Sequence, residues 1–246
     1  MSTPHRTRPA LRYGYPWGLV GMGPLLLAQG LYVRRTVPRL PEPEGPRSGR
    51  EGQGRRLRVL IAGDSAAAGV GVAHQDDALA GQLVSALAPD FQVSWSVVAT
   101  SGYTTPEIIE RLHQTEATPF DVAVISIGVN DVTANTSAAR WIAGQQRLHE
   151  LLTSRFGIQQ VLCSSVPPMH LFPALPQPLR WYLGSRTQHF NDELVRYLGS
   201  KAQYDLVQTE LGGDSSEMAS DGFHPGAPIY AAWAQRLSQS IRQRWL

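Results

Sequence analysis

Short apolar runs alternate with segments of helical periodicity from residue 57 onward, and this alternation constrains the fold more than any other feature of the chain. Helices are predicted over about residues 76–88, 137–156, 180–199 and 227–244, with another beginning at Thr105. Strand and helix in alternation are typical of a doubly wound α/β fold, layered α/β/α. Five runs are predicted as strands: Leu57–Ala62, Phe91–Ala99, Asp121–Ile127, Gln160–Val166 and Tyr204–Val207.

Residues 1–56 differ in composition from the rest of the chain. They hold eight of the 18 prolines, and residues 38–56 are typical of an extended polar linker. We therefore predict an N-terminal apolar segment plus a linker rich in proline and arginine over residues 1–56, and one folded domain over residues 57–246.

An uncharged run over residues 13–33 lies between two groups of arginines and allows three interpretations. It could anchor the protein in a membrane or lie at the membrane interface, because arginines suit the headgroup region. It could be a cleaved signal peptide, since Ala28-Gln29-Gly30 is an acceptable small-residue site. It could also be a helix, from about Leu25, that packs on the domain. We therefore predict membrane association through residues 13–33, with a cytoplasmic location or export by a signal peptide as the alternatives.

The charge is unevenly distributed, and this argues against nucleic acid as a partner. Residues 1–56 contain ten arginines and three glutamates, a net charge of +7, whereas the remaining 12 basic and 17 acidic side chains give −5. Phosphate binding needs clustered basic residues on the folded surface. The single cysteine, Cys163, excludes an intramolecular disulfide and a thiolate metal cluster. No feature indicates an oligomeric state.

Polar residues follow the predicted strands at the end of the sheet where such folds bind ligands. Ser65 follows the first strand and is the best candidate nucleophile for ester hydrolysis, because Gly63 allows a sharp turn before it. His224 is the best candidate base, and Asp221, three residues earlier, can orient its ring. The backbone N–H groups of Ser65 and Gly102 and the amide of Asn130 are candidate donors to an oxyanion.

These blocks resemble, in this order, those of the SGNH (GDSL-type) hydrolase family. The matching blocks are Gly63-Asp64-Ser65, Gly102 within Ser101–Thr105, Gly128-x-Asn130-Asp131 and Asp221-x-x-His224. The resemblance covers roughly residues 57–246 and departs from the family pattern at Ala66, where leucine is usual. It implies a flavodoxin-like three-layer sandwich around a mainly parallel five-stranded sheet. It also implies hydrolysis of esters, thioesters or acyl-lipids without a metal or organic cofactor.

We therefore predict a serine esterase acting through an acyl-enzyme on small-molecule or lipid esters. A lysophospholipase or acyl-CoA thioesterase acting on membrane-derived lipids is the alternative within enzymes. A non-catalytic acyl- or glycan-binding module is the alternative outside them. A second Gly-Asp-Ser, at residues 213–215, follows no apolar strand and is predicted to be a loop.

Two further groups of residues bear on substrate and metal binding. The proline-rich stretch 167–185 supplies Phe172, Trp181 and Tyr182, which either form an acyl-binding wall beside the site or close the core. No metal site is predicted, because six histidines lack paired ligand spacing: His5, His74, His113, His149, His170 and His189.

Overall fold

A six-stranded sheet forms the centre of the protein in the computed structural model, which describes residues 16–199, 201–209 and 215–246. The strands lie in the order β1-β3-β2-β4-β5-β6; β1 is antiparallel to β3, and the other neighbours are parallel. Their bounds are β1 Ser48–Glu51, β2 Arg55–Gly63, β3 Phe91–Ala99, β4 Val122–Ser126, β5 Gln160–Ser164 and β6 Tyr204–Val207.

Helices cover both faces of this sheet because the side chains of each strand alternate between two cores. The helices are α1 Pro16–Thr36, α2 Ser65–Ala68, α3 Leu79–Leu87, α4 Thr105–Gln114, α5 Val129–Thr133, α6 Ala138–Phe156, α7 Leu179–Leu198 and α8 Ala227–Trp245. On β2, Leu60 and Ala62 pack with α4, α6 and α7, whereas Leu57, Val59 and Ile61 pack with α3 and α8.

The predicted three-layer α/β/α fold is confirmed. The five parallel strands lie in the order second-first-third-fourth-fifth along the chain, which is the flavodoxin-like order. Every residue of β4 and β5 is buried, so the continuous apolar runs of their sequences are accounted for by helices on both sides.

The sheet has one strand more than predicted, and that strand comes from the segment predicted as a linker. β1 pairs along β3 with Ser48 opposite Ser96 and Glu51 opposite Val93, so the sheet begins before residue 57. All four residues of β1 are exposed at the sheet edge. Such a strand has no buried face, and its sequence therefore lacks the apolar alternation by which a strand is recognised.

The apolar N-terminal run forms α1 from Pro16, and this helix contacts the body of the protein; residues 13–15 of the run lie outside the described residues. Leu26 and Val33 pack against the core on the α7 side. The Gln29 side chain donates to Gln177 O at 2.7 Å and accepts from Leu179 N at 3.0 Å. Among the described residues, no helix combines the length and apolarity needed to cross a membrane.

Candidate active site

The carboxyl ends of β2, β3 and β4 bring three polar turns side by side. Gly63 at the end of β2 pairs with Ala99 of β3 on one side and with Ser126 of β4 on the other. The contact continues past the strands, because Asp64 N donates to Ser126 O at 3.0 Å and Thr100 N donates to Gly63 O at 3.3 Å. The turns that carry Ser65, Gly102 and Asn130 are therefore neighbours.

A tight turn places Ser65 where β2 passes into the short helix α2. Gly63 has φ +157°, and a Cβ there would lie 1.8 Å from Ser126 O, so the two strands approach closely only because residue 63 has no side chain. The Asp64 carboxylate accepts from Ala66 N at 3.2 Å and caps α2. Ser65 is the first residue of this helix, where backbone N–H groups have no partner within the helix.

Ser65, His224 and Asp221 form a continuous chain of hydrogen bonds. Ser65 Oγ lies 2.9 Å from His224 Nε2, and His224 Nδ1 lies 2.5 Å from Asp221 Oδ2. The other carboxylate oxygen of Asp221 accepts from the backbone N–H groups of Phe223 and His224, at 2.9 and 3.0 Å. These two bonds fix the turn, so the carboxylate and the ring face each other.

The pKa values of the two carboxyl groups nearest these hydrogen bonds, Asp221 and Asp64, shift in opposite directions. Burial raises the pKa of Asp221, but hydrogen bonds from His224 and the Phe223 N–H outweigh it and bring the pKa below its usual value. Burial dominates at Asp64 and raises its pKa to about 7, although the bond from Ala66 N and the nearby His224 oppose the shift. Asp221 is therefore an anion at neutral pH and can hold a neutral or protonated imidazole in place.

Two contacts join the turn that carries Gly102 to the helix that carries Asn130. The Asn130 amide donates to Tyr103 O at 2.9 Å. The buried Asp131 carboxylate accepts from the backbone N–H and the hydroxyl of Thr105, both at 3.0 Å. An amide nitrogen carries two protons, so Asn130 retains one for a further acceptor.

A small apolar cavity of about 40 Å³ lies beside Ser65 and His224. Its walls come from the ends of β2, β4 and β5, from the loop after β5 and from α8. The polar residues of the lining include Asp64, Ser126, Ser165 and Thr209. The apolar lining includes Ile127, Val129, Val166, Phe172, Phe223 and Trp233.

The three aromatic residues predicted from the proline-rich stretch occupy different positions. Phe172 lines the cavity, is 2% exposed and meets Phe223 edge to face at 4.9 Å between ring centroids. Trp181 and Tyr182 lie on α7 outside the cavity lining; Trp181 is 46% exposed, and the Tyr182 hydroxyl donates to Asn135 Oδ1. The structure thus brings only Phe172 to Ser65.

Phe223 is a cavity residue that the sequence interpretation did not single out. Phe223 directly precedes His224 in the sequence, and this position next to the candidate base is the feature from which a role in the cavity could have been predicted. The predicted loop at the second Gly-Asp-Ser cannot be compared with the structure, because residues 213 and 214 lie outside the described residues.

The arrangement supplies what acyl transfer to a serine requires. The Ser65 hydroxyl has an imidazole acceptor and the imidazole has a buried carboxylate, while the turns that carry Gly102 and Asn130 adjoin the end of β2. The cavity gives an apolar group room next to the Ser65 hydroxyl.

Comparisons with known proteins agree with this description. A GDSL-like esterase of Mycobacterium tuberculosis is 26% identical, over 91% of this chain and 77% of that protein. A member of the lipolytic G-D-S-L family from Veillonella parvula superposes with a TM-score of 0.60 at 12% identity, covering 76% of this chain and 99% of that one. The aryl esterase of M. smegmatis superposes with a TM-score of 0.55 at 20% identity, with the same coverage. These two structures show the shared fold alone.

The family assignment comes from a sequence profile. The profile of the GDSL-like Lipase/Acylhydrolase family matches residues 61–232, which is more than half of the chain and includes all four polar blocks. The chain therefore belongs to the GDSL-like lipase/acylhydrolase family and is an ester-hydrolysing enzyme.

Proposed function

We propose that this protein is a serine esterase that works through an acyl-enzyme, with Ser65 as nucleophile, His224 as general base and acid, and Asp221 as the group that orients His224. The observation that carries the proposal is the unbroken hydrogen-bonded chain Ser65–His224–Asp221. A serine hydroxyl is a weak nucleophile unless an adjacent base takes its proton, and His224 Nε2 lies within reach of that proton.

The reaction proceeds in two halves. Ser65 Oγ attacks the ester carbonyl carbon while its proton passes to His224 Nε2, which gives a tetrahedral oxyanion. The C–O bond to the alcohol then breaks, the alcohol leaves with the proton from His224, and the acyl group stays on Ser65. Water attacks the acyl-enzyme with His224 again as base, and the acid and free Ser65 are released.

The oxyanion is held by the backbone N–H groups of Ser65 and Gly102 and by the Asn130 amide. This assignment is supported by the position of Ser65 at the start of α2 and by the bond from Asn130 to Tyr103 O, which keeps the amide beside the Gly102 turn. Donors that are fixed before the reaction stabilise the transition state without reorganisation.

The substrate is an ester of a short acyl group. A water-sized group needs about 10–15 Å³, so a cavity of about 40 Å³ has room for about three such groups, which suits an acyl chain from acetyl to butyryl. A fatty acyl chain is far larger than this cavity, which Phe172 and Phe223 line, and this disfavours the lysophospholipase alternative.

Hydrolysis of p-nitrophenyl esters from acetyl to palmitoyl, by the wild type and by Ser65→Ala, tests both parts. We expect turnover to be highest from acetyl to butyryl and kcat to fall at least about 10³-fold in Ser65→Ala. Full activity in Ser65→Ala would contradict the nucleophile assignment. A palmitoyl optimum would contradict the short-acyl assignment alone.

A further inference from the structure

Residues 41–47, which we call the strap, run from the N-terminal segment across the turns next to Ser65. Glu44 N donates to Ala73 O at 2.9 Å, and Gln75 N donates to Glu44 O at 2.8 Å, which fixes the middle of the strap to the loop after α2. At its end the strap enters β1 and pairs with β3. The strap lies outside residues 61–232, the part of the chain matched by the family profile.

One side chain of the strap binds the turn that carries Gly102. Glu42 Oε1 accepts from the backbone N–H of Ser101 at 2.9 Å and from its hydroxyl at 3.0 Å. Glu42 Oε2 accepts from Arg47 at 2.6 Å, and the same guanidinium donates to Ala99 O at 2.5 Å. The pair Glu42–Arg47 thus holds the chain at both Ala99 and Ser101.

The charge state of Glu42 fits this role. Burial raises its pKa, but hydrogen bonds from Ser101 and the charge of Arg47 outweigh that effect, so the pKa lies below its usual value. The carboxylate therefore stays an acceptor for Ser101 throughout the neutral range.

The turn needs such a partner because little else surrounds it. Ser101 and Gly102 are exposed, Gly102 has φ +86°, and a Cβ on Gly102 would have no described residue within 4 Å except its two chain neighbours. Asn130 fixes the turn on its far side, at Tyr103 O. Glu42 fixes it on the near side, at the residue directly before the Gly102 N–H.

We propose that Glu42 is a positioning residue, which acts through Ser101 to hold the Gly102 N–H where it binds the oxyanion. This inference rests on the proposed function, because the oxyanion role of Gly102 belongs to that proposal. Glu42 itself lies outside residues 61–232, the part of the chain that the family profile matches. Glu42 acts on the Gly102 N–H only through Ser101, to which its carboxylate is hydrogen-bonded.

The kinetic test compares Glu42→Ala with Glu44→Ala. Glu44 belongs to the same strap, its side chain is exposed, and its backbone makes the bonds described above. Loss of an oxyanion donor costs about 10²–10³ in kcat, and displacement of one costs less, so we expect kcat to fall about tenfold in Glu42→Ala with KM within about twofold. Glu44→Ala should match the wild type, and Glu42→Gln, which keeps an acceptor for Ser101, should recover most of the loss.

A second readout does not depend on catalysis. Amide hydrogen exchange of the peptide containing residues 100–103 should be faster in Glu42→Ala than in Glu44→Ala, because the Ser101 N–H loses its acceptor. If the wild type fails to hydrolyse esters, the proposed function fails while exchange still shows whether Glu42 orders the turn. If Glu42→Ala and Glu44→Ala agree in both kcat and exchange, in an otherwise active enzyme, the inference about Glu42 is overturned.

Discussion

Two buried aspartates beside Ser65 show how a few hydrogen bonds decide the charge of a residue. Asp221 receives the His224 ring and two backbone N–H groups, which stabilise its anion. Burial is the largest influence on Asp64, and the charge of Asp131 adds to it. The bond from Ala66 N at 3.2 Å does not outweigh them, so the pKa of Asp64 rises to about 7. The Gly-Asp-Ser motif thus contains a carboxyl group that serves as a helix cap at some cost in solvation.

The raised pKa of Asp64 predicts a pH-dependent effect of Asp64→Asn on stability. Between about pH 4 and pH 7 the folded state keeps a proton that the unfolded state has lost, so rising pH destabilises the wild type in this window. Asparagine can still accept from Ala66 N but does not ionise. We expect the Tm of the variant, relative to wild type, to be higher at pH 8 than at pH 5 in thermal unfolding. An equal difference at both values would contradict the assignment.

Phe172 is expected to set the acyl length limit. Phe172→Leu removes part of an aromatic wall of the cavity and keeps an apolar side chain in the core, so the optimum among p-nitrophenyl esters should shift toward longer chains. Trp181→Leu is the matched control, because Trp181 lies outside the cavity lining and should leave the profile unchanged. A shift in the control and not in Phe172→Leu would place the acyl group elsewhere.

At the scale of elements, a buried clamp joins α4 to α5. Thr105 at the start of α4 donates twice to Asp131 of α5, and Gln145 of α6 donates to the Thr105 hydroxyl at 3.4 Å. The clamp holds α5, and with it Asn130, against the turn after β3.

Replacement of Thr105 by valine tests this clamp. The substitution keeps the shape and removes the hydroxyl, so the buried Asp131 carboxylate loses one of its donors. We expect the free energy of unfolding to fall by about 1–3 kcal/mol, measured by urea denaturation. Thr133→Val is the control, because the Thr133 hydroxyl donates to Asn130 O at an exposed site. An equal loss in both variants would contradict a special role for the buried bond.

How well an element can be predicted from its sequence depends on its burial and length. β3 and β6 agree with their predicted bounds, and the mainly apolar runs of β4 and β5 reflect burial on both faces. α2 and α5 have four and five residues, too few to show a helical period. The predicted helix over residues 76–88 starts later, at Leu79, since residues 75–77 form a 3₁₀ turn.

At the scale of the whole molecule, the polar blocks could be predicted from the sequence but their surroundings could not. The candidate site follows from the rule that parallel strands present their carboxyl ends at one edge, so Ser65, Asn130 and His224 were expected together. Phe172 lies in the loop before α7 and lines the cavity, whereas Trp181 lies on α7 outside the lining, and no local sequence pattern separates the two positions. The strap contact between Glu42 and Ser101 joins residues 59 apart and leaves no local pattern.

The basic N-terminal segment contacts the acidic body of the protein at two places. Its helix α1 packs on α7, and its strap leads into β1, which pairs with β3. The cellular location of the protein stays a prediction.

Labelling with an alkyl fluorophosphonate tests the central claim most directly, because this probe reacts with a serine that a neighbouring base has activated. The account predicts one adduct per chain, located by peptide mass spectrometry on Ser65, no adduct in Ser65→Ala, and a rate of labelling lowered by orders of magnitude in Asp221→Asn, in which His224 loses its orienting carboxylate. An adduct on another serine, or an unlabelled wild type, would contradict the assignment of Ser65 as the activated nucleophile.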